Sequence, residues 1–240
     1  MVIMLSRVVL MFLLVALIPA TAAGITNVAE ETVAGGSHKR LLTRKGAIHL
    51  WWPKDYDKDH AGVVIYLHGY GTTVDKEWTG SHLGKKFNLS KKNALFIVPE
   101  SSSSDKDDIT WFSLESLFSL LKNRFVKIPA GKVVLMGHSG AFKTMALWVK
   151  NKRISTVVML DAMYGLYEKY KSFLTGSKSS RMIVVSYSTY AAGKDFGDMF
   201  DFTLGRRYLP KTIKGFTKKE RRARLLHIYS QYDHFELVTS

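Results

Sequence analysis

Short apolar runs separated by polar, glycine-bearing stretches set the rhythm of this chain. Residues 47–52 (AIHLWW) stop at Pro53, residues 62–67 read GVVIYL, and residues 95–98 (LFIV) stop at Pro99. The pattern returns at 133–136 (VVLM), 155–160 (STVVML), 182–185 (MIVV) and 225–229 (LLHIY). Runs this short, rich in β-branched residues and bounded by turn formers, predict buried strands. Between several of them the apolar spacing becomes helical. Residues 110–126 carry Phe112, Leu117, Phe118, Leu121 and Phe125 at that spacing, with Asp108 as the expected N-cap. Phe142, Met145, Ala146, Trp148 and Val149 predict a second helix, and residues 166–174 a third. Residues 196–209 commit to neither period, and residues 24–45, with Gly35-Gly36-Ser37, read as an entry segment without a period. Strands alternating with helical or loop crossovers predict an α/β fold, a mainly parallel sheet with helices on both faces.

Composition narrows the chemistry. A chain of 240 residues that is 46% hydrophobic suits one well-buried domain. The absence of cysteine excludes disulfides, zinc–thiolate sites, iron–sulfur clusters and thiol catalysis. The first two dozen residues differ from the rest: Arg7 gives a positive start, residues 8–18 an apolar core, and residues 19–23 (PATAA) small side chains at cleavage spacing. That pattern predicts an export signal over residues 1–22, too short before Pro19 to span a bilayer, followed by an entry segment (23–45) and the folded domain (46–240). The expected location is periplasmic or secreted.

The charge is strongly positive, 35 basic against 20 acidic side chains. Arg206, Arg207, Lys211, Lys214, Lys218, Lys219, Arg221, Arg222 and Arg224 crowd one stretch, opposed only by Glu220. Such a run reads either as a solvated face or as a patch for an anionic envelope or membrane surface. No nucleic-acid-binding motif accompanies it, so no nucleic-acid partner is expected. Metal-site and phosphate-loop patterns are missing as well, and no cofactor is expected.

Candidate chemistry gathers at the predicted strand ends. Residues 132–141 read KVVLMGHSGA, a strand running into a serine between small residues and then into a helix. The stretch resembles the G-x-S-x-G nucleophile elbow of the α/β-hydrolase superfamily, the serine esterases and lipases, with Ala141 where the last glycine stands. Residues 68–71 (HGYG), directly after a strand, resemble that family's H-G-x-G segment. The resemblance implies Ser139 as nucleophile and the backbone N–H groups of Tyr70 and Gly140 as the oxyanion hole. It also implies a late histidine as general base, and His234, just past the last predicted strand, stands in that place. His138 then reads as local packing, His227 as a core histidine in a strand, and His68 as a structural neighbour of the site. For the acid that orients the histidine, Asp161 at the end of residues 155–160 ranks first and Asp195 second, while Asp233 is expected to shape its turn. Glu100 to Ser104, Trp111 and Tyr187 to Tyr190 are candidates for pocket walls, and the 160–182 interval leaves room for one helix and little or no lid. Two functions follow: an exported serine hydrolase acting on a small-molecule or polymeric acyl substrate, or a non-catalytic cationic envelope-binding protein that keeps the fold.

Overall fold

The computed structural model describes residues 25–122 and 127–240; the candidate leader lies outside the described residues. Within them, ten strands form a single sheet: β1 (Ile25–Val33), β2 (Gly36–Thr43), β3 (Gly46–Pro53), β4 (Gly62–Leu67), β5 (Ala94–Pro99), β6 (Val133–His138), β7 (Ile154–Leu160), β8 (Arg181–Ser186), β9 (Thr203–Arg207) and β10 (Leu225–Tyr229). Their spatial order is β1-β2-β3-β5-β4-β6-β7-β8-β10-β9. The seven strands from β5 through β9 in that order run parallel, while β3, β2 and β1 extend one edge by antiparallel pairing. All seven apolar runs of the sequence are strands.

Helices cover both faces. On one, α3 (Leu114–Lys122), α4 (Phe142–Trp148), α5 (Tyr167–Gly176) and α6 (Tyr190–Asp198) bury Leu117, Met145, Tyr170 and Phe196 against Ile65, Leu135, Val157 and Val184. On the other, Trp78 of α1 (Val74–Gly80), Leu83 of α2 (Leu83–Leu89) and Val238 of α8 (Glu236–Thr239) share a cluster with Trp51, Tyr66 and Phe96. Period-two alternation divides the two cores: Ile48 and Leu50 face the first, Ala47 and Trp51 the second. Each fully buried aliphatic side chain adds about 2 kcal/mol of transfer free energy.

Two expectations need correction, and one undecided interval is resolved. Residues 24–45, read as lacking a period, build β1 and β2. Their inward positions include Gly36 and His38, which hides the alternation. Gly36 is required there, because a Cβ would lie 2.2 Å from the Trp51 ring. The helix expected from residue 110 starts at Leu114, where the Ser113 hydroxyl accepts from Ser116 N–H; Asp108 caps nothing, Phe112 is exposed, and Phe125 lies outside the described residues. The undecided 196–209 interval holds the end of α6 and β9, an edge strand whose Gly205, Arg206 and Arg207 conceal its period. Between β7 and β8 only α5 intervenes, and among the described residues no helix is long and apolar enough to cross a membrane.

Candidate active site

Strand β6 ends at His138, and the chain turns through one 3-10 turn (Ser139–Ala141) into α4. Ser139 makes the turn at φ 51°, a left-handed conformation that costs a non-glycine residue about 1–2 kcal/mol. Small neighbours make room for it. A Cβ on Gly137 would lie 2.4 Å from Met145 Sδ and 2.8 Å from the Ala141 methyl. A Cβ on Gly69 would lie 2.8 Å from Ser139 Cβ. Ala141, the departure from the elbow pattern, is buried, and its methyl fills the space that Gly137 leaves between strand and helix.

The chain after β7 supplies an acid. Asp161 also has positive φ, 45°, and its carboxylate is fully buried. Oδ1 accepts from the backbone N–H of Tyr187 at 2.9 Å and of Thr189 at 2.8 Å, and from the Thr189 hydroxyl at 2.8 Å. Oδ2 accepts from Ser188 N–H at 3.1 Å and from His234 Nδ1 at 2.6 Å. Burial opposes the negative charge, but these bonds outweigh it and hold the carboxyl well below the usual carboxylate range. The loop after β8 thus provides donors for an acid carried by β7. Asp195, the other candidate, lies exposed on α6 away from this network.

The loop after β10 brings His234 between acid and serine, its Nε2 lying 2.9 Å from Ser139 Oγ. With Nδ1–H donating to Asp161, Nε2 carries the lone pair that faces the hydroxyl. Asp233 Oδ1 accepts from Phe235 N–H and Glu236 N–H at 2.9 and 2.8 Å, so it starts α8 and shapes the turn.

The HGYG segment closes over the elbow. The Tyr70 ring lies against Gly140, where a Cβ would meet ring atoms at 2.5 Å. Neither Tyr70 N–H nor Gly140 N–H donates to another protein group among the described residues, and Gly140 is in the first turn of a helix, where such donors are free. His68 anchors the segment: its Nδ1–H donates to the Gly69 carbonyl at 2.8 Å, and Nε2 lies 2.6 Å from Glu100 Oε1. Glu100 also accepts from Val74 N–H at 3.1 Å, so this candidate wall residue fastens the loop instead. Trp111 is buried, with Nε1–H donating to the Glu100 carbonyl. His227 is a buried strand histidine bonded to the Ser186 hydroxyl at 2.7 Å.

Two side chains at the site escaped the sequence reading. His138 does more than pack: its Nε2–H donates to the His234 carbonyl at 2.8 Å, and the two rings lie 4.6 Å apart. Burial, with the His234 charge adding to it, holds His138 below its ordinary value, so it is neutral with one N–H to give. Tyr164, half-exposed, lies edge-on 6.5 Å from His234, and its partial burial together with the Asp161 charge raises its phenol above the ordinary value. Its place three residues after Asp161 was the available signal. Among the described residues no group of three His, Asp or Glu side chains is placed to hold a metal ion.

No family model matches the chain, and no curated protein matches it in sequence. Its structure is similar to several solved ones. A feruloyl esterase module from Clostridium thermocellum aligns with TM-score 0.56 and 11% identity over 92% of this chain and 88% of that one. An S-formylglutathione hydrolase from Agrobacterium tumefaciens aligns with TM-score 0.53 and 13% identity over 89% and 95%. A fluorophosphonate-binding serine hydrolase from Staphylococcus aureus aligns with TM-score 0.52 and 9% identity over 88% and 92%. Identities this low speak for architecture, and together with the parallel sheet and the elbow after β6 they show that the chain has the α/β-hydrolase fold.

Proposed function

We propose that this protein is an exported serine hydrolase that cleaves carboxylic esters. The observation that carries the reading is the continuous relay Ser139 Oγ to His234 Nε2 at 2.9 Å and His234 Nδ1 to Asp161 Oδ2 at 2.6 Å. In the first half-reaction Ser139 Oγ attacks the ester carbonyl while its proton passes to His234 Nε2. The carbonyl oxygen becomes an oxyanion, for which the Tyr70 and Gly140 N–H groups are the donors. Collapse of the tetrahedral intermediate breaks the bond to the alcohol, which leaves with the proton held on His234. Water then attacks the acyl-enzyme, gives its proton to His234, and releases the acid as Ser139 recovers the proton. Asp161 fixes the imidazole orientation and balances the charge it gains.

Three further features support the substrate and location assigned here. Among the described residues α5 alone stands between β7 and β8, with no larger insertion over the serine, and the exposed Phe235 and Tyr164 give it an aromatic rim, an arrangement open to an ester carried on a polymer or surface. The basic stretch from Arg206 to Arg224 favours an anionic envelope or membrane surface as the setting. The tripartite pattern of residues 1–22 supports export. The test is a hydrolysis screen of the secreted protein on acyl esters of increasing chain length, phospholipid and peptidoglycan, with Ser139→Ala as control. Turnover of at least one ester by wild type alone is the expected result. A folded wild type inert on all of them would favour the non-catalytic envelope-binding reading.

A further inference from the structure

Away from the serine, the fold gathers four lysines from three separate stretches of the sequence. Lys132 precedes β6, Lys150 and Lys152 flank the turn between α4 and β7, and Lys169 lies on α5; all four line one groove of about 700 Å³. The groove opens at the amino ends of the parallel strands, whereas Ser139 follows the carboxyl end of β6, so the six residues of that strand put about 20 Å between them.

No carboxylate lines the groove, and none of the four ammonium groups has an ion-pair partner among the described residues. One acid approaches the rim, Glu115, which accepts from the Asn151 amide. Ser172, Ser177 and Ser179, on α5 and just after it, also line the groove and are exposed. That segment is tied to the basic run: Arg224 donates to the Ser177 carbonyl, and Arg181 donates to the carbonyl of Arg221 in α7 (Lys218–Arg222). Positive charge therefore continues from the groove onto α7, giving a strip instead of a point. Uncompensated like charges converging on one concavity raise the local potential and favour an anion there.

We propose that this groove binds a segment of an anionic polysaccharide bearing sulfate or phosphate groups, holding the protein on the polymer while Ser139 faces away. The volume suits a short oligosaccharide, and a lining that mixes serine hydroxyls with Leu147 and other apolar side chains suits both the oxygens and the apolar faces of sugars. A concave surface cannot seat a flat bilayer. Single-stranded nucleic acid needs stacking platforms, and Phe173, the one aromatic residue of the lining, is 8% exposed.

The test uses the full secreted protein and a fluorescein-labelled heparin oligosaccharide, read by anisotropy at physiological salt. The K132Q/K150Q/K152Q/K169Q variant should bind about tenfold more weakly or worse, while K58Q/K76Q/K85Q/K91Q, which removes equal charge elsewhere, should lose less than about threefold. In wild type, bound oligosaccharide should protect Lys132, Lys150, Lys152 and Lys169 from amine acetylation, read by mass spectrometry, and leave Lys58, Lys76 and Lys85 reactive. Absence of wild-type binding, equal losses in both variants, or unprotected groove lysines would overturn the proposal. So would tighter groove-dependent binding of phosphatidylglycerol vesicles or of an oligothymidylate.

Discussion

At the scale of single residues, the relay rests on two carriers held by backbone strain and on one histidine that touches no substrate. Asp161 shows the consequence most clearly. Its carboxylate accepts from three backbone N–H groups, one hydroxyl and one imidazole in a buried position, and an amide cannot accept all five. Asp161→Asn should lower kcat on the order of ten-thousand-fold, because His234 loses the partner that sets its tautomer, and should cost about 2–4 kcal/mol of stability at neutral pH. The depressed carboxyl also fixes a pH signature. Its stabilisation is fully present above the unfolded value near 4 and is lost as pH falls through the lower folded value, since there the unfolded chain binds a proton the native one refuses. Acid titration of unfolding should therefore be flatter in Asp161→Asn than in wild type. His138 acts through the His234 carbonyl, so His138→Leu should lower kcat between about tenfold and a hundredfold with a smaller change in KM, and His138→Gln, which keeps a donor, should recover part of the loss.

Ser139, His234 and Asp161 were legible as candidates because each follows an apolar run whose end the sequence marks. The support beneath them was not. Backbone donors from residues 187–189 carry no side-chain signature, and the His138 bond depends on a loop that returns 96 residues later. The loop after β8 turns its N–H groups toward the Asp161 carboxylate and not toward Asp195, a placement that no residue type in 187–189 announces.

At the scale of elements, the unexpected part is the β1–β2 hairpin and how it is joined to the sheet. His38 of β2 and His49 of β3 share a hydrogen bond of 2.9 Å, and both rings stack on Trp78 of α1 at 4.5 and 4.7 Å. Glu31 bonds His38 at one end, and Asp75, shared with Arg40, bonds His49 at the other. Burial outweighs these acids and pushes His49 down to about 4, and it lowers His38 as well. Between pH 6.5 and about 4 the unfolded chain protonates His49 while the folded one does not, so stability falls with pH by up to about 3 kcal/mol from this residue. Thermal melts should show wild type losing stability through that window and His49→Gln losing less. Equal slopes would mean that the pair carries no linkage. Sequence periodicity missed this hairpin because Gly36, His38 and Thr43 share its inward positions with Leu41, and His38 is one of the residues that fasten it.

At the scale of the whole molecule, the sheet and its two helical layers were readable from seven apolar runs, because strands buried on both faces leave continuous hydrophobic segments. What the linear order conceals is polarity of function: the relay gathers at the carboxyl ends of the strands and the lysine groove at the amino ends. The basic run is spread over β9, α7 and the loops between them, where Arg206 is neutralised by Glu220 at 2.7 Å and most other members are exposed. Envelope binding through that run should weaken with rising salt and in a variant carrying Arg207→Gln, Lys211→Gln, Lys214→Gln and Lys219→Gln. Sedimentation with envelopes that is indifferent to both would remove the run from the account.

The proposed function requires Ser139 to be an activated nucleophile. Intact-mass measurement after exposure to a fluorophosphonate tests this directly, because phosphonylation requires a serine whose proton a base can take. Wild type should gain one adduct that maps to Ser139, with no adduct on Ser139→Ala and much slower labelling of His234→Asn. A folded wild type that stays unmodified, or that carries its adduct elsewhere, would contradict the relay on which the proposed function rests.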